Sequence, residues 1–128
     1  MQAKFFLSLF YSLFSFTICI AQINNTTNLD SLKKVATAQK QTLAKQYSKS
    51  SLTYFITKVN NQQFGYYIFC DGQLLIDQKT IPAVAGNNGF KNEKDAKNVA
   101  ALAIKKIKQG EMPPTINVAE LKKLKVKL

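Results

Sequence analysis

Apolar positions fall into one long block and then a series of short ones. From Phe5 to Ile20 the chain carries no charge and is mostly apolar. The block follows Lys4 and ends in Cys19, Ile20 and Ala21, just ahead of Gln22. A short positive start, an apolar run and a small-residue ending make up a secretory signal. The run falls short of the ~20 apolar residues a transmembrane helix needs, and Ser8, Ser12, Ser15 and Thr17 dilute it. Residues 1–21 are therefore expected to be a signal peptide, with no transmembrane segment left after cleavage. Phe16, Thr17 and Ile18 precede Cys19 and fit a lipoprotein cleavage site poorly, so Cys19 is read as part of the leader.

Residues 22–50 are rich in Asn, Thr, Gln, Ser and Lys, with neither Gly nor Pro. Leu29, Leu32, Val35, Ala36, Leu43 and Tyr47 make a thin helical stripe with gaps. Asn28 or Asp30 is the expected cap. The segment is expected to be a polar linker or partly helical.

Residues 51–128 read as one small α+β domain. Leu52–Val59 is rich in β-branched and aromatic residues, and Asn60-Asn61-Gln62-Gln63 breaks it. Phe64–Cys70 and Gln73–Gln78 flank Asp71-Gly72, the signature of a two-residue type I′ hairpin turn. An unbroken register from that turn pairs Phe69 with Leu74 and Tyr67 with Ile76 on one wholly apolar face, which is expected to be the core. The other face, with Tyr66, Ile68, Cys70, Leu75 and Asp77, is apolar enough for something to cover it.

Pro82, Gly86 and Gly89 mark residues 81–90 as an irregular loop. Asn92 is a good helix cap, with Glu93 and Asp95 in the first turn. Ala96, Val99, Ala100, Ala103, Ile104 and Ile107 form one apolar face, and Gly110 ends the helix. Leu102 lies off that stripe. After Met112-Pro113-Pro114, Asn117 and Glu120 have the spacing of a capping box for a short helix. The lysine-rich end from Lys122 to Leu128 is expected to fray. The fold expected is thus α+β: a three-stranded antiparallel β-meander packed by one main C-terminal helix, plus a short final helix.

Charge narrows the function classes. The formal net charge is +11, and every basic residue is lysine. Lysine is a hydrated point charge without the planar fork arginine offers to phosphates and base edges. No specific nucleic-acid site is therefore expected. The spread lysines suit a solubilising surface or a diffuse attraction to an anionic polymer. Histidine is absent, which removes the commonest general base and metal ligand. Loss of Cys19 with the leader leaves Cys70 alone, so neither an internal disulfide nor a thiolate metal cage is available. The acids are scattered: Asp71 belongs to a turn, Glu93 and Asp95 to a helix start, Glu111 and Glu120 to the flanks of the Pro-Pro link. Asp77 has no evident structural task.

Four stretches resemble a known family. They are Gly65-Tyr66-Tyr67-Ile68-Phe69-Cys70-Asp71-Gly72, the loop Ile81-Pro82-Ala83-Val84-Ala85-Gly86-Asn87-Asn88-Gly89-Phe90, Asp95-Ala96-Lys97-Asn98-Val99-Ala100, and Lys108-Gln109-Gly110-Glu111-Met112-Pro113-Pro114-Thr115. Together they resemble domain-of-unknown-function family 4907, small exported Bacteroidetes proteins, over roughly Leu52 to Leu124. The resemblance implies export and an envelope setting, and no activity. Where family members often carry histidine near the end of the hairpin, this chain has Asp77.

The function expected is that of a non-enzymatic periplasmic or secreted protein, an interaction or accessory module with an envelope protein as partner. The alternative is a lysine-based binder of an anionic envelope polymer. Neither requires a cofactor or metal. Tyr66, Ile68, Leu75 and Phe90 are the candidate interaction surface. Gly86, Asn87, Asn88, Gly89 and Lys91 are a candidate anion-binding loop, through backbone N–H groups ahead of a helix start. The plainer reading of that loop is a turn that needs its glycines.

Overall fold

A computed structural model describes residues 25–128; the signal peptide expected at residues 1–21 lies outside them. The chain forms α1 (Asn25–Lys49), β1 (Leu52–Asn60), β2 (Gln63–Cys70), β3 (Gln73–Gln78), α2 (Glu93–Lys108) and α3 (Val118–Lys123). The strands make one antiparallel sheet in the order β1-β2-β3, and the architecture is the expected α+β. Positive φ at both Asp71 (50°) and Gly72 (83°) gives the hairpin turn its primed geometry.

The buried face of the sheet is the opposite of the one expected. The ladder slips between Ile68 and Phe69: Phe69 faces Leu74, but Ile68 faces Ile76. Leu75 is the extra residue of a β-bulge, so Tyr67 faces Asp77 rather than Ile76. Tyr66 and Ile68 point inward, 2% and 0% exposed, under the Ala96, Val99, Ala100, Ala103 and Ile107 stripe of α2. From β1, Leu52 and Ile56 pair with Cys70 and Tyr66 on this side and pack on the core. Small alanines on α2 let the helix approach closely, and the large strand residues fill the space.

The loop after β3 returns to the sheet. Phe64 and Phe90 exchange both main-chain hydrogen bonds at 2.8 Å, which draws Phe90 into the core with 0% exposure.

α2 starts as expected. The Asn92 side chain accepts from the Asp95 N–H at 2.8 Å, and Gly110 (φ 80°) follows the C-cap Gln109. Asp95 is buried, and its Oδ2 accepts from Asn92 Nδ2 at 2.9 Å and from the Lys127 N–H at 3.0 Å. The chain end, expected to fray, is thereby docked. Val126 is buried, and its N–H donates to Leu121 O at 3.0 Å.

The capping box of α3 is formed. The Glu120 N–H donates to Asn117 Oδ1 and the Asn117 N–H to Glu120 Oε2, each at 3.0 Å. Glu120 Oε1 reaches Lys106 Nζ at 3.0 Å, and Glu111 Oε1 reaches the same ammonium at 3.3 Å. Glu111 Oε1 also accepts from the Thr115 N–H at 2.9 Å. One lysine of α2 thus joins two carboxylates that themselves order the Pro-Pro link and α3. The hydrogen bond to Glu120 holds the Lys106 ammonium above the usual lysine range, against the pull of burial.

Among the described residues α1 is one continuous helix over Asn25–Lys49, so both expected caps, Asn28 and Asp30, lie inside it. Freedom from Gly and Pro permits this. Only its last turns join the core: Tyr47 is buried, and Leu43 packs beside it. Leu29, Leu32 and Val35 are 54–63% exposed.

Candidate functional site

The expected contact surface is turned inside out. Tyr66, Ile68 and Phe90 are core residues with at most 2% exposure. Leu75, at the bulge, is half-buried and packs on the same core. The Tyr66 ring lies 6.1 Å from the Phe90 ring, and burial pushes its hydroxyl pKa well above the ordinary tyrosine value. None of the first three is available to a partner, because α2 and the returning loop cover the face they occupy.

The structure does not bring the candidate anion loop together. Gly86 (φ 98°), Asn87 and Asn88 form an exposed tip. Gly89 is buried, and its N–H donates to Gln63 Oε1 at 3.1 Å. A β-carbon there would lie 2.8 Å from Phe64 O, so this glycine serves the close approach of the loop to β2. Lys91 Nζ donates to the Leu128 carbonyl at 2.8 Å. Its ammonium is tied to the chain end.

The open face of the sheet carries Tyr67, Phe69 and Leu74, three of the four residues first assigned to the core; the fourth, Ile76, faces Ile68 and packs on the core as expected. Phe55 pairs with Tyr67, Thr53 with Phe69 and Thr57 with Gly65 across β1 and β2, and Leu74 stands beside Phe69. Phe55 is 61% exposed and Leu74 56%, while Tyr67 and Phe69 are half-buried. The Phe55 and Phe69 rings meet edge to face, 5.5 Å between centroids and 90° apart, and Tyr67 and Phe69 are 6.4 Å apart. Aromatic pairs favour this edge-to-face geometry. The charge on this face is an ion pair, Asp77 Oδ2 to Lys79 Nζ at 3.3 Å, at its β3 side. A contiguous aromatic and aliphatic patch rimmed by threonines and one neutralised pair is a surface that gains free energy when water leaves it.

Acid–base and metal chemistry find no assembly among the described residues. No group of three or more Cys, Asp or Glu is placed to hold a metal ion. From Ser51 onward, each acid is engaged structurally. Asp71 Oδ1 accepts from the Ser51 N–H at 2.8 Å, and that bond is the main cause holding its pKa below the ordinary value. Asp77 pairs with Lys79, Glu93 with Lys97 at 2.7 Å, and Glu111 and Glu120 with Lys106. Asp95 holds the chain end. Cys70 is a free thiol, half-buried, 3.7 Å from Asp71 Oδ2. No helix among the described residues is long and apolar enough to cross a membrane.

The model of one family, described as a domain of unknown function (DUF4907), matches residues 57–123, just over half of the chain. The chain belongs to the DUF4907 family. The DUF4907 match begins within β1 and ends with α3, so it spans most of the sheet, the returning loop and the Lys106 network. It leaves α1 and Phe55 outside. No curated protein and no solved structure matches the chain.

Proposed function

We propose that this protein is a non-enzymatic interaction module that works outside the cytoplasm, in the cell envelope or beyond it, and binds a protein partner through the open face of its sheet. The observation that carries the reading is the exposed cluster of Phe55, Tyr67, Phe69 and Leu74. Aromatic residues are enriched at protein interfaces, where a well-packed desolvated centre supplies most of the affinity. The leader pattern of residues 1–21 supports the location. The structural engagement of the acids and the absence of histidine support a role without catalysis.

Binding of this kind depends on apolar burial and tolerates salt. The test is capture of partners from envelope extract at low and high salt, by the wild-type chain and by Phe55→Ser and Leu74→Ser variants of confirmed fold. A specific partner kept at high salt and lost in both variants is the expected result. Capture that both variants retain removes the reading. Capture that disappears with salt favours the lysine-based polyanion alternative, since charge-driven binding to polyanions weakens steeply with ionic strength.

A further inference from the structure

A second surface, independent of the sheet face, lies between α2 and α3. The two helices part on either side of the Pro-Pro link and leave a groove of about 500 Å³. Leu102, Lys105, Lys106 and Gln109, one face of α2 at helical spacing, form one wall; Glu120, Lys123 and Leu124 of α3 form the other. Its volume is that of a small-molecule site.

Charges in the groove divide into two kinds. Lys106 and Glu120 neutralise each other at 3.0 Å, and the second oxygen of Glu120 is occupied by the Asn117 N–H. They are structural. Lys105 and Lys123 have no ion-pair partner among the described residues. Each sits in the last turn of its helix, where a cation complements the helix dipole. Leu102 and Leu124 are half-buried, pack against the edge of the core and line the same groove with their remaining surface. One leucine on each wall, beside two unpaired ammonium groups, complements one kind of occupant.

We infer that the α2–α3 groove binds a small amphiphilic anion, with one carboxylate or phosphate head on a short hydrocarbon body. The head lies between Lys105 and Lys123, and the body covers Leu102 and Leu124. Lysine suits either head because it acts as a point charge rather than a planar fork.

The test is a titration of the isotopically labelled full chain with sodium octanoate and with monooctyl phosphate, below the concentrations at which either forms micelles. Octanol and inorganic phosphate are the arms that carry only the body or only the head. Saturable amide shifts at Leu102, Lys105, Lys123 and Leu124 with an amphiphile, weakened at least about tenfold in a Lys105→Gln/Lys123→Gln variant, are the expected result. Which of the two amphiphiles binds more tightly assigns the head group. The inference is overturned if octanol matches octanoate, if inorganic phosphate matches octyl phosphate, if the variant binds unchanged, or if the shifts lie elsewhere. Both substituted side chains are exposed, so the variant tests the groove and not the fold.

Discussion

The α-carbon of Gly110 lies directly against the main chain of Lys40. A β-carbon at Gly110 would overlap the Lys40 carbonyl oxygen and stand 2.9 Å from its carbon and 3.0 Å from the Ala44 nitrogen. The same glycine adopts φ 80°. It therefore ends α2 and also provides the notch in which α1 rests, beside Leu43 and Tyr47.

Gly110→Ala should accordingly be worse than its backbone conformation alone requires. Gly72, at φ 83°, has nothing within 4 Å of a built β-carbon, so Gly72→Ala isolates the conformational cost of about 1 kcal/mol. Gly110→Ala adds displacement of α1 and should exceed that by ~1 kcal/mol or more. Urea unfolding of both variants measures the difference, and limited proteolysis should cut α1 free only in Gly110→Ala. Equal losses would mean that α1 is not seated there.

The polarity of the sheet makes opposite predictions for two neighbouring strands. Ile68→Ala should lose about 3 kcal/mol, as deletion of a fully buried aliphatic side chain does. Phe55→Ala, at a residue 61% exposed, should change stability by less than ~1 kcal/mol. Denaturant midpoints that reverse this order would restore the orientation first expected from the strand pattern.

Asp95 joins the start of α2 to the end of the chain. Asp95→Ala leaves the Lys127 N–H without its acceptor and removes one partner of the Asn92 amide, for an expected cost of about 2 kcal/mol. Hydrogen exchange gives the sharper readout. The Lys127 and Val126 amides should lose protection while those in the middle of α2 keep theirs. Uniform loss of protection would show that Asp95 acts on the whole domain instead.

Acid should weaken the fold through two hydrogen-bonded carboxylates. The Ser51 N–H holds Asp71 below the ordinary range, and the Asn117 N–H, followed by Lys106, does the same for Glu120. Between those depressed values and the ordinary carboxylate pKa of about 4, the unfolded chain binds more protons than the folded one. Stability from these groups is complete above the ordinary range and is lost as pH falls through the folded-state values. The urea midpoint should drop as pH falls below about 5, and an Asp71→Asn/Glu120→Gln variant should flatten that drop. An unchanged slope would mean that neither bond matters.

Local chemistry made much of this architecture legible. Asp71-Gly72 announced the turn, Asn92 and Asn117 announced two helix starts, and Glu120 completed its box from three residues away. What could not be read were partners distant in sequence. The contact of Asp95 with Lys127 spans 32 residues, and nothing near Lys127 signals it. The sheet face was ambiguous in β2, where both sides are apolar. It was mixed in β1, where Phe55 stands with Thr53 and Thr57 on one side and Tyr54 and Lys58 with Leu52 and Ile56 on the other. The open aromatic patch, and hence the candidate site, was missed for that same reason. The groove was half visible, since Leu102 stood out from its stripe, but its facing wall required knowing where α3 packs.

The spare residue at Leu75 has a meaning beyond irregularity. A strand that kept step from the Phe69–Leu74 pair would set Asp77 opposite Tyr66, beneath α2, where an unpaired anion is severely penalised. Skipping one rung sends that carboxylate to Lys79 and water, sets the neutral Gln78 opposite Tyr66 in its place, and puts Ile76 opposite Ile68. Excising Leu75 would therefore leave every later rung aligned as it is now, and the hairpin should survive the loss of a residue it uses only to count.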